Sequence, residues 1–109
     1  MELVKLSTPA LALMALAIVG TALSGPAAAT GSAEAGQAKS VTCSACHGMD
    51  GNSLNPEWPS LAGQHESYLV KSLQSFKSGA RQNVLMSGMA LPLTDEDMVD
   101  LAAYFAAQK

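Results

Sequence analysis

Apolar and polar positions along the chain alternate between stretches of helical spacing and stretches with none. Residues 10–19, ALALMALAIV, form an unbroken apolar run near the start. Further on, Ser32 to about Val41 is rich in good helix formers, with Ser32 placed as an N-cap and Glu34 near the positive end, which predicts a short helix. After His47 the run GMDGNSLNPEWPS is dense in Gly, Asn and Pro and predicts a loop. Helical spacing resumes from Gln64 to Ser78, where Leu69, Leu73 and Phe76 share one side with Tyr68 beside them and Gly79 is placed to end the helix. Between Ala80 and Leu93 the pattern lapses, predicting a second loop that holds Met86, Gly88, Met89 and Pro92. Thr94 followed by Asp97 is a capping-box start for a last helix, with Asp95 and Glu96 in its first turn and Met98, Leu101, Ala102 and Phe105 as its apolar face. The expectation is an all-α domain of three main helices separated by two long loops. Such loops in so small a domain call for something to pack around.

The apolar run changes how the chain is divided. Lys5 precedes it, Gly20 interrupts it, and a Ser24-Gly25-Pro26 break leads to Ala27, Ala28 and Ala29, an A-x-A pattern. This is the layout of a secretory signal cleaved before Thr30. A retained membrane anchor would need roughly 20 apolar residues. Residues 1–29 are thus expected to be a cleaved signal peptide and residues 30–109 a single exported domain with no membrane span. At about 80 residues its hydrophobic core alone is marginal, so an added staple is expected. Formal charge is −3, and Glu2 and Lys5 cancel within the leader, so the mature part is mildly acidic and offers no basic surface for nucleic acid.

Cys43-Ser44-Ala45-Cys46-His47 supplies the candidate staple. C-x-x-C-H is the attachment sequence for c-type haem: two thiols about a helical turn apart can form thioethers on one edge of a porphyrin, and the adjacent histidine reaches the iron. A redox C-x-x-C or a zinc site would need a βαβ pattern or a second pair of ligands. The sequence has no other cysteine and only His65 as a further histidine. A second axial ligand on the other face would be a methionine, and position leaves two, Met86 and Met89; Met49 lies too close to His47 and Met98 belongs to a helix face. Spacing alone leaves both open.

With these residues in view, residues 30–109 resemble the class I cytochromes c, most closely one domain of the two-haem periplasmic kind, cytochrome c type four, and single-haem cytochromes of the c-553 kind. The likeness is carried by AGQAK before the motif, CSACHGMDGNS through it, WPSLAGQ after it, then YLVKSLQSFKSGAR, MSGM and LTDEDMVDLAAYF. It implies a class I fold wrapped around one haem c, with Met86, the methionine followed by Ser87 and Gly88, as the ligand opposite His47. It also implies that the carbonyl of Pro59 accepts the Nδ1 proton of His47, that Leu61 packs on the haem, and that Gly36 crosses the terminal helix at Tyr104 and Phe105. The implied function is periplasmic, non-enzymatic electron transfer, one electron at a time, as a monomer or weak homodimer. The implied donor is a quinol-oxidising complex or a dehydrogenase, and the implied acceptor a terminal oxidase or reductase. A docking patch is expected near Cys46 and Met89. The alternatives are a cytochrome subunit of a larger complex, or a five-coordinate haem peroxidase or gas sensor. His65, Lys71, Lys77 and Arg81 are expected to be solvated surface and Trp58 a packing residue. The chain departs from the two-haem kind in carrying one attachment motif.

Overall fold

The computed structural model describes residues 30–109 and the isolated position 20; the expected signal peptide lies otherwise outside the described residues. Five helices follow in order: α1 (Ala33–Lys39), α2 (Val41–His47), α3 (Glu66–Ser78), α4 (Val84–Ala90) and α5 (Asp95–Ala106), with no strand among the described residues. The all-α class stands, but the number of helices is larger than the spacing predicts, for two local reasons.

The first predicted helix stops at Lys39 and restarts at Val41. Ser40 sits between the two, its hydroxyl donating to the carbonyl of Gln37 (2.8 Å) while its own carbonyl accepts from the Ser44 hydroxyl (2.9 Å). Serine competing in this way for backbone partners ends one helix and redirects the next. The C-x-x-C-H motif therefore occupies a helix of its own. The second correction concerns residues 80–93, which hold α4 rather than an unbroken loop. Asn83 caps it, its side chain accepting from the amide of Met86. A seven-residue helix offers too few turns for a periodic signal to rise above Gly88 and the exposed Val84 and Leu85.

The remaining boundaries follow their sequence signals. Gly79 ends α3 in the left-handed region at φ 80°. Thr94 and Asp97 form the reciprocal capping box at the start of α5. From there α5 runs through the middle of the domain, burying Met98, Leu101, Ala102, Ala103, Tyr104 and Phe105. Leu69 of α3 joins them, with Cys43, Leu61, Leu73 and Leu93 packed on the outside of this cluster.

α1 crosses α5 closely at Gly36. A Cβ on Gly36 would collide with the carbonyl of Asp100 and come within 2.8 Å of Tyr104 Cβ. Phe105, expected at the same crossing, packs against Gly51 of the loop after α2 (2.8 Å from a Cβ there). Asp100 is the member of this crossing that apolar spacing cannot reveal. It is buried, with Oδ1 accepting from the amide of Ser32 (2.7 Å) and Oδ2 from Lys39 Nζ (2.6 Å). Lys39 also pairs with Asp97 (2.9 Å). Each charge holds the other: the two carboxylates push the Lys39 ammonium above its ordinary value. The Thr94 amide, then Lys39, brings Asp97 down to about 2, and Lys39 with the Ser32 amide lowers Asp100.

Two predictions follow from this crossing. Gly36→Ala must push α1 away from the Asp100 carbonyl; overpacking of about 1–3 kcal/mol outweighs the ~1 kcal/mol gained in helix propensity, and chemical denaturation should show a net loss. For Asp97 the folded value lies below the ordinary carboxylate range, so its contribution is complete above about pH 4 and disappears as pH falls through about 2. Thermal melting should therefore find Asp97→Asn less stable than the parent at neutral pH, with the gap closing between those two values.

Candidate cofactor site

One cavity of about 430 Å³ opens between α2 and α4, and the sequence-predicted residues line it. Thr42, Cys43, Cys46 and His47 come from α2; Trp58, Pro59 and Leu61 from the loop that follows; Leu69, Leu73 and Phe76 from α3; Met86 and Met89 from α4; Leu101 and Phe105 from α5. A volume of this order suits a small organic cofactor rather than a bare ion. Nor does any group of three or more His, Cys, Asp or Glu among the described residues come together to hold a metal alone.

The α2 wall follows from helical spacing. Three residues apart on one helix, Cys43 and Cys46 face the same side. Both are half-buried and stand as separate thiols. Burial pushes the Cys43 thiol above its ordinary value, which keeps it protonated and apolar in character. His47, the last residue of α2, is 6% exposed, and its Nδ1 lies 2.6 Å from the carbonyl of Pro59. A carbonyl only accepts, so Nδ1 carries the proton and Nε2 keeps the lone pair that a metal needs.

The loop that supplies Pro59 is closed on itself by backbone bonds. The carbonyl of Gly51 accepts from Leu61 (2.7 Å) and Ala62 (3.1 Å). Ser53 ties it to α2 by donating to the carbonyl of Cys46 (3.3 Å), and the Tyr104 hydroxyl ties it to α5 by donating to the carbonyl of Met49 (2.8 Å). The second links parts of the chain fifty-five residues apart and is invisible to local pattern. Both hold Pro59 and Leu61 against the cavity.

On the other wall, Met86 and Met89 lie three residues apart and both reach the cavity. Met86 is half-buried, whereas Met89 is 51% exposed. Arg81 enters the lining as well, its guanidinium carbon 4.5 Å above the Phe76 ring, an arrangement the sequence does not announce. Asn83 lines the cavity too; it was legible only as an Asn three residues before Met86. Trp58, expected as a packing residue, lines the cavity while 37% exposed. His65 stays exposed at the start of α3, outside the lining, and Lys77 binds the carbonyl of Leu93.

The donor set fits an iron porphyrin. Apolar walls match the macrocycle, two thiols on one helix suit thioether formation at one edge, and an imidazole and a thioether from different helices suit two axial positions.

Comparison with known proteins gives the same reading. Residues 28–109 match the cytochrome c family. The chain is 52% identical over 73 residues to cytochrome c4 of Pseudomonas aeruginosa, a match covering 67% of this chain and 36% of that protein. It is 45% identical over 74 residues to cytochrome c-554(548) of Halomonas halodenitrificans, covering 65% of this chain and 89% of that one. Reduced recombinant cytochrome c4 from Pseudomonas stutzeri superposes with a TM-score of 0.70 at 50% identity, over 73% of this chain and 47% of that chain. The chain thus spans between a third and a half of the cytochromes c4 it matches and nearly the whole of the shorter relative. The chain belongs to the cytochrome c family and carries covalently attached haem c with its iron.

Proposed function

We propose that the chain is an exported single-haem electron carrier, in which Cys43 and Cys46 tether the haem, His47 and Met86 ligate its iron, and Pro59 and Leu61 hold the histidine and the ring. The observation that carries this reading is the convergence of the His47 imidazole from α2 and the thioethers of α4, Met86 the more buried, on a single apolar cavity. When bound, the haem supplies a one-electron ferrous–ferric couple. The protein's own part would be to hold that couple between His47 and Met86, dry and fixed in place.

Each residue contributes separately. The Pro59 carbonyl orients the His47 ring and makes Nε2 a better donor. Leu61, Leu69 and Phe105 exclude water from the cavity, which favours the less charged ferrous state. A thioether ligand raises the potential further relative to a second histidine. With His47 and Met86 both holding the iron, peroxide or a gas would find no open site, and the chain would work as a carrier rather than an enzyme.

Met86 is preferred to Met89 because it is the more buried of the two, and a ligand shielded from water holds its metal better. Met89 then serves the surface. With Leu85 (63% exposed) and Leu91 (66%) it makes an apolar patch beside the cavity, suited to brief docking of redox proteins. By the family resemblance these are a quinol-oxidising complex or a dehydrogenase on the donor side and a terminal oxidase or reductase on the acceptor side. The compartment is the periplasm, reached after cleavage before Thr30. None of the described helices is long and apolar enough to cross a membrane.

Met86→Ala should abolish the weak far-red absorbance of the ferric thioether complex and let carbon monoxide bind quickly to the ferrous form. Met89→Ala should do neither, and the reverse outcome would exchange the two roles. Amino-terminal sequencing of the exported protein should begin at Thr30, and a start upstream of residue 20 would show that the leader is retained.

A further inference from the structure

The sulfur assigned to Met86 sits on a short helix with little buried surface. α4 has seven residues, a length at which a helix does not sustain itself in water. Its one buried residue, Ala90, lies at the C-terminal end, while Val84 and Leu85 in the first turn are mostly exposed. Core packing fixes one end of α4 and leaves the end that carries Met86 to other forces.

Those forces are polar, and they start from α3. The Arg81 amide donates to the carbonyl of Ser75 (3.0 Å), and the Arg81 guanidinium rests on Phe76. The chain leaving Gly79 is thereby tied back to the end of α3. Two residues later Asn83 is extended (φ −157°, ψ 123°), and its Oδ1 accepts from the amide of Met86 at 2.9 Å. The Asn83 carbonyl accepts from the Ser87 amide at 2.8 Å, the first bond of the helix. One side chain thus closes the first turn, and it does so on the backbone of the residue whose side chain enters the cavity.

We propose that Asn83 is a positioning residue for the axial sulfur: its cap on the Met86 amide keeps the first turn of α4 wound and so holds the Met86 thioether on the iron. The proposal rests on the reading of Met86 as ligand. Asn83 itself touches no reacting atom and carries no charge into the cavity. Its effect is on how long the sulfur stays bound. When the cap is lost, the first turn, whose apolar contact is limited to Leu85 and Met86 at the cavity, frays more easily, and an added ligand replaces the thioether more readily.

Displacement of the sulfur from the ferric holoprotein by imidazole, followed in the visible spectrum, measures this. Asn83 is exposed, so its substitution spares the core. Asn83→Ala should tighten apparent imidazole binding by about fivefold, the ratio equivalent to a lost N-cap, whereas Asn83→Asp and Asn83→Ser, which preserve a capping oxygen, should restore the parental value. Thr94→Ala removes a comparable cap from α5; it should lower the melting temperature and leave imidazole binding unchanged. The proposal is overturned if Asn83→Ala binds imidazole like the parent, or if Thr94→Ala tightens binding as much. Met86→Ala separates this from the ligand assignment. Should that variant keep the thioether spectrum, the assignment itself fails; should it lose the spectrum while Asn83→Ala is unchanged, only the role of Asn83 is lost.

Discussion

Apolar contact between side chains and an enclosed macrocycle is the interaction on which this small domain depends. Leu69, Phe76, Leu101 and Phe105 are at once its buried core and the lining of its cavity. A chain of this size has little apolar surface to spare, and much of what it has faces inward to a space that protein alone does not fill. The cofactor is therefore part of the core as well as the seat of the chemistry. The long loop after α2 and the short α4 persist because both close over that space.

A second constraint sets the frame within which the cavity is held. α1 and α5 approach so closely at Gly36 that only a glycine fits, and the Asp100 carboxylate, buried beside the crossing, takes an amide and an ammonium from α1. Burial of a carboxylate is tolerable here because both of its oxygens have partners. The break at Ser40 then turns the chain from this fixed crossing into α2, so the direction of the helix bearing Cys43, Cys46 and His47 is inherited from the packing of α1 on α5. Packing far from the iron thus sets the wall that faces it.

Much of this is legible in the sequence wherever the signal is local. The capping box at Thr94, the glycine stop at Gly79 and the apolar faces of α3 and α5 all come from contacts within one or two turns, and the structure reproduces them. The attachment motif is local too, because its spacing is set by chemistry rather than by fold. What spacing cannot show comes from two sources. α4 is too short for periodicity, and only the cap at Asn83 betrays it. Asp100 reads as a surface acid among Asp95, Glu96 and Asp97, since its partners at Ser32 and Lys39 lie more than sixty residues away. The contact of Phe105 with Gly51 has the same origin: it depends on how a loop folds, and no local pattern encodes it.

The central claim is that one haem is held by two sulfurs on a single helix and by the imidazole that follows them. Mass spectrometry of the proteolysed holoprotein tests it most directly. The account predicts one haem covalently carried by the peptide that contains Cys43 and Cys46, with both thiols consumed and resistant to alkylation. A peptide of unmodified mass whose two thiols alkylate freely, from protein that was coloured before digestion, would contradict it.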